Sequence, residues 1–191
     1  MKNLKTLSKD TATLESKQIF NAIEKSFGML PNIYAVIGNS ANALSSYLTF
    51  SEAQKNGSFN AKEREAIFLA VSEENGCNYC LSAHTAIAKM NGFSEDETLE
   101  LRAGTIEDIK LNVLTNLSKS IIANRGRVDE NLVMEFYEAG YDEKALVDLV
   151  ALVVDKTFSN YIGRLARPDI DFPKAQPLNK IILASLIYKT K

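Results

Sequence analysis

Apolar residues recur at helical spacing along most of this chain, and no stretch alternates apolar and polar as a half-buried strand would. Ile19, Phe20, Ile23 and Phe27 mark one face of a helix predicted from Leu14 to Phe27 and closed by Gly28. Pro31 and Asn32 open a short segment through Ile37. Ser40 caps a helix carrying Leu44, Tyr47, Leu48 and Ser51, which stops near Gly57. Asn60 with Glu63 reads as a capping box, starting a helix that runs to Glu74 and breaks at Gly76. The next helix spans Cys77 to Asn91. A capping box of Ser94 and Glu97 begins a short one ending at Arg102. Ile109, Val113, Leu114, Leu117 and Ile121 set the face of a helix from Glu107 to Asn124. Asp129 caps a short helix and Asp142 a long one reaching Arg164. In that last helix Ala145, Leu146, Leu149, Val150, Leu152, Val153 and Val154 cover more than half the circumference. Such a helix is central in the core or buried between subunits.

The predicted fold class is therefore all-α. Its 191 residues suit one helical domain over 1–173. Pro168, Pro173 and Pro177 mark an extended arm, and 174–191 is a C-terminal tail with apolar positions from Ile181 to Ile187, a candidate for a subunit contact. A net charge of −2 with no basic stripe argues against a nucleic-acid partner. No run approaches the roughly 20 apolar residues of a membrane span, so no membrane partner is expected. The first ten residues lack the apolar run of a signal peptide, which makes a cytoplasmic location the expectation.

Chemistry concentrates in one place. Both cysteines of the chain, Cys77 and Cys80, and its sole histidine, His84, fall within eight positions. On a helix these stand at i, i+3 and i+7, within roughly 60° of arc, so all three can meet one cavity. In a reducing compartment such a pair points to redox or metal chemistry rather than a structural staple. Cys77 sits at the helix start, where free N–H groups favour a thiolate. His84 lies one turn beyond Cys80 and can take its proton. Glu65, on the preceding helix, is the candidate to hold one imidazole nitrogen and leave the other for sulfur. Tyr34, Tyr47, Tyr137 and Tyr161 read as core or cavity lining.

Glu65, eleven residues, Cys77, two residues, Cys80, three residues, His84 resembles the pattern of the alkylhydroperoxidase D-like proteins of the carboxymuconolactone decarboxylase superfamily. Phe27-Gly28 with Pro31-Asn32, and Asn160-Tyr161 to Asp171-Phe172-Pro173, resemble the two ends of its single-domain peroxidase-related members. The resemblance implies a helical fold assembled as trimers or hexamers, and a thiol peroxidase that uses no metal, haem or other cofactor. It implies that Cys80 attacks a small hydroperoxide and Cys77 resolves the sulfenic acid to a disulfide. His84 and Glu65 then relay the proton, and a dithiol electron donor reduces the pair. The chain departs from the pattern at Tyr79, where the best-characterised members have a second histidine. Two other readings stay open. One is a redox-sensing or dithiol–disulfide exchange protein without efficient peroxide turnover. The other is a metal site of Cys77, Cys80, His84 and a carboxylate.

Overall fold

The computed structural model describes residues 4–178. Among them the chain forms helices and no strand: α1 (Leu14–Phe27), α2 (Asn32–Ile37), α3 (Ala41–Ala53), a 3-10 turn (Gln54–Asn56), α4 (Ala61–Glu74), α5 (Asn78–Met90), α6 (Glu95–Ala103), α7 (Ile109–Ala123), α8 (Glu130–Glu138) and α9 (Glu143–Ala166). The expected boundaries hold to within a few residues because short polar side chains set them. Ser40, Asp129 and Asp142 each accept an N–H from the first turn of their helix. Both capping boxes form reciprocally, Asn60 with Glu63 and Ser94 with Glu97.

α4 is the hub and packs on α5, α6, α7 and α9. Its Ala66, Ile67, Leu69, Ala70 and Val71 are fully buried, so it has no solvent stripe of the usual amphipathic kind. One core joins Ile67 and Val71 of α4 to Leu114 and Leu117 of α7, Phe136 of α8 and Leu149 and Leu152 of α9. A second lies under α1 to α3, where Phe20, Ile23, Ile33, Leu44 and Tyr47 pack with Tyr79 and both cysteines. The cysteine pair is thus walled by the amino-terminal helices on one side and by α9 on another.

Beyond α9, residues 167–178 run without helix or strand across the start of α5. Asp171 pins this arm: one oxygen accepts the Tyr79 hydroxyl at 2.6 Å and the other the Asn32 backbone N–H at 2.7 Å. Further along, Ala175 N donates to Ser82 Oγ, and the buried Arg102 donates to the Gln176 carbonyl. The apolar positions 181–187 lie outside the described residues.

Candidate active site

The turn from α4 to α5 is built to present the two sulfurs. Gly76 takes φ +61°, in the left-handed region, and reverses the chain after Asn75. Cys77 is the N-cap of α5, and its Sγ accepts the N–H of Cys80 at 3.3 Å. The turn is tied to α9. Asn75 donates to Asn160, Asn160 donates to Ser72, and Arg164 donates to the Asn75 carbonyl. α9 makes room at Gly163, where a Cβ would stand 2.9 Å from Cys77 Sγ and 3.7 Å from Cys80 Sγ.

Both cysteines are free and buried. Their acidities are pushed apart. Donation from Cys80 holds the Cys77 thiol below its ordinary range against the opposing effect of burial, with the Lys156 charge helping. Cys80 is pushed well above that range, first by its hydrogen bond to Cys77 and then by burial.

Glu65 and His84 meet across α4 and α5, with Nδ1 to Oε2 at 2.8 Å. The other ring nitrogen, which the sequence left for sulfur, instead faces the Lys156 ammonium of α9 at 2.6 Å. A lysine ammonium only donates, so Nε2 carries the lone pair and the imidazole proton sits on Nδ1, toward Glu65. Burial, seconded by the Lys156 charge, lowers the His84 pKa below its ordinary 6.5, while Glu65 opposes the shift. With Nε2 accepting from Lys156, the ring carries its single proton on Nδ1 and is neutral. Lys156 lies 4.4 Å above the Phe68 ring, which itself packs on His84. Lys156 is the site residue the sequence reading missed. Its signal was present: Asp155 and Lys156 are the only charged residues between Asp148 and Arg164 in a largely apolar helix.

Cys80, His84 and Lys156 line one cavity of about 390 Å³. Its walls are chiefly apolar, with Ile33, Phe68, Ile87 and Phe172 prominent. Tyr34 and Tyr47 line it as expected, whereas Tyr137 and Tyr161 are exposed on the surface. Cys77 lines a separate, more polar cavity of about 350 Å³ with Asn78, Arg164 and Arg167. Tyr79 borders both cavities. Its hydroxyl donates to Asp171 and accepts the Ile33 N–H, so the phenol is committed to structure. Burial and the Asp171 bond raise its pKa well above the ordinary tyrosine value. Among the described residues no group of three or more His, Cys, Asp or Glu side chains is arranged to hold a metal ion. Both nitrogens of His84 are engaged by other partners.

Residues 41–116 match the carboxymuconolactone decarboxylase family. Uncharacterized protein YdfG of Bacillus subtilis (strain 168) is 33% identical over 103 residues, which are 52% of this chain and 69% of that protein. The chain belongs to the carboxymuconolactone decarboxylase family. Its fold is that of solved structures with low identity. An uncharacterized peroxidase-related protein with the alkylhydroperoxidase AhpD core, from Ralstonia eutropha JMP134, superposes with a TM-score of 0.75 at 17% identity, covering 94% of this chain and 93% of that one. The debrominase Bmp8 gives 0.73 at 16% identity, covering 96% and 97%. An uncharacterized peroxidase-related protein from Silicibacter sp. TM1040 gives 0.73 at 18%, covering 89% and 93%. In this carboxymuconolactone decarboxylase family chain the family match takes in α3 to α6 and the first half of α7, and therefore Glu65, Cys77, Cys80 and His84. Lys156 and the arm lie outside it.

Proposed function

We propose that the protein is a thiol-dependent peroxidase that reduces small organic hydroperoxides through Cys77 and Cys80, with a Glu65–His84 proton relay and a dithiol as electron donor. The observation that carries this reading is the shared cavity. Cys80 and His84 open onto one apolar chamber, while Cys77 sits behind Cys80 with its sulfur against the Cys80 N–H. Access outweighs acidity in choosing the attacking sulfur. Cys77 is the more acidic of the two, but Cys80 lines the apolar cavity and Cys77 does not. The pair reacts with one proton, held on Cys77, as the Cys80 thiolate attacks the terminal peroxide oxygen. The O–O bond breaks, the leaving alkoxide takes a proton delivered by the relay to become the alcohol, and Cys80 becomes a sulfenic acid. Cys77 then attacks the Cys80 sulfur, closing a disulfide and releasing water. The donor dithiol reduces that disulfide by exchange. The same reading expects a homo-oligomer.

The test exposes Cys77→Ser and Cys80→Ser proteins to a slight excess of hydroperoxide with a sulfenic-acid trap and mass spectrometry. Trapping is expected at Cys80 in the first protein and little in the second. His84→Gln and Glu65→Gln are expected to slow trapping, His84→Gln more, by up to about 100-fold. Equal trapping at Cys77 when Cys80 is absent reverses the roles. A disulfide that forms but never turns over with any dithiol leaves a redox sensor instead.

A further inference from the structure

Lys156 has no part in the relay described so far, yet it stands where the relay must end. In the resting site His84 cannot give a proton from Nε2 directly to the peroxide, because that atom accepts from Lys156 and the ring proton is held toward Glu65. The group on this chain of contacts that both carries a transferable proton and lines the cavity beside Cys80 is the Lys156 ammonium. We infer that Lys156 is the catalytic acid that protonates the leaving oxygen of the hydroperoxide, the last member of the Glu65–His84 relay, which holds its Nζ and restores its proton. This rests on the peroxidase reading and deepens it.

The need for an acid is chemical. Attack by a thiolate on R–O–OH breaks the O–O bond and expels RO⁻, a strong base, into a chiefly apolar chamber. A positioned donor lowers that barrier. The atoms balance. The pair reacts in its singly protonated form, with the proton on Cys77 and Cys80 as the thiolate. Cys80 sulfur takes the terminal OH, and RO⁻ takes the Lys156 proton to become ROH. Cys77 then attacks Cys80, and the hydroxide leaves with the pair's remaining proton as water. One proton is consumed and returns from solvent to Lys156.

The surroundings fit that duty. Lys156 is buried, its stem is fixed in the middle of α9, and its charge rests between the Phe68 face and the His84 lone pair. Neither contact is an ion pair that would have to break before the proton moves. Glu65 reaches the ammonium only through the imidazole. Tyr79, the residue at the second histidine position of the best-characterised family members, is bound to Asp171 and cannot serve instead.

A leaving-group comparison separates acid catalysis from a structural or purely electrostatic role. The rate of Cys80 oxidation is measured in full-length wild-type, Lys156→Met and Lys156→Arg proteins. Two oxidants are used: tert-butyl hydroperoxide, which expels a basic alkoxide, and peracetic acid, which expels acetate and needs no proton. Both variants are expected to lose about 100-fold or more with tert-butyl hydroperoxide and less than about tenfold with peracetic acid. Retained reaction with peracetic acid also reports an intact site. Equal losses with both oxidants, no loss with either, or a Lys156→Arg protein matching wild type on tert-butyl hydroperoxide each overturn the assignment. A wild-type protein inert to both oxidants would instead sink the peroxidase reading itself.

Discussion

Tyr79 and Gly163 show how single residues fix what the sulfurs do. A phenol between the two cysteines could be a proton carrier or a strut, and its contacts decide for the strut. It bridges the Ile33 N–H, the Asp171 carboxylate and, edge-on, the Phe172 ring. Tyr79→Phe should therefore cost about 1–2 kcal/mol of stability, the usual penalty for a buried hydrogen bond removed with its partners left behind. Cys80 oxidation should keep its rate to within about tenfold, far short of the loss expected when a catalytic acid or base is removed. Urea unfolding and peroxide kinetics on one preparation check both halves, and a large kinetic loss with unchanged stability would make Tyr79 a proton carrier. Site legibility also divides at this scale. Glu65, Cys77, Cys80 and His84 were readable because two adjacent helices carry them at fixed spacing. Lys156 is 72 residues from His84 in sequence. Its role depends on how α9 packs, which periodicity does not specify.

At the scale of elements, α9 is shaped around the sulfur pair. Glycine inside a helix costs about 1 kcal/mol relative to alanine, so Gly163→Ala would stabilise an ordinary helix. Here the new Cβ would meet Cys77 Sγ at 2.9 Å. That sulfur is held by its N-cap bond to Cys80, so the clash cannot be relieved without disturbing the pair. Gly163→Ala is expected to destabilise the wild-type protein and change the alkylation rate of both thiols. In a Cys77→Ala background, where the sulfur is gone, the same substitution should be neutral or stabilising. The double-mutant cycle should return a coupling of about 0.5–3 kcal/mol. Additive effects would mean the glycine serves something other than the cysteines. The elements themselves were legible because each start carries a side chain that caps it. A departure occurs where no such residue acts. α3 passes at Gln54 into a 3-10 turn that Gly57 closes, near the expected stop, whereas α9 runs on to Ala166 because Arg167 takes the left-handed cap conformation that the sequence reading would assign to glycine.

At the scale of the whole molecule, the outer side of α9 is an apolar surface left uncovered among the described residues. Its inner side carries Leu149, Leu152, Val153, Lys156, Asn160 and Gly163 into the core and the site. Its outer side exposes Val147, Val150, Val154, Phe158, Tyr161 and Leu165, three or four residues apart along the helix. Such a stripe is the seam of a helix that packs on another helix, and exposed apolar rows of this length mark interaction surfaces. Phe50 and Tyr47 of α3 extend it into a groove of about 310 Å³ beside Val154 and Phe158. A second copy of the chain is the expected occupant, in keeping with the proposed homo-oligomer. Val154→Glu places a charge at the middle of the stripe without touching the inner face. It should shift the mass measured by light scattering from an oligomer toward the monomer while helicity by circular dichroism stays unchanged. Peroxide turnover should fall as the oligomer dissociates, because the helix that would pack on its neighbour also holds Lys156 against His84 and Gly163 against the sulfurs. A wild-type protein that is monomeric at every concentration would leave the stripe without a partner copy. A monomeric Val154→Glu protein with full turnover would show that assembly and catalysis use the two faces of α9 independently.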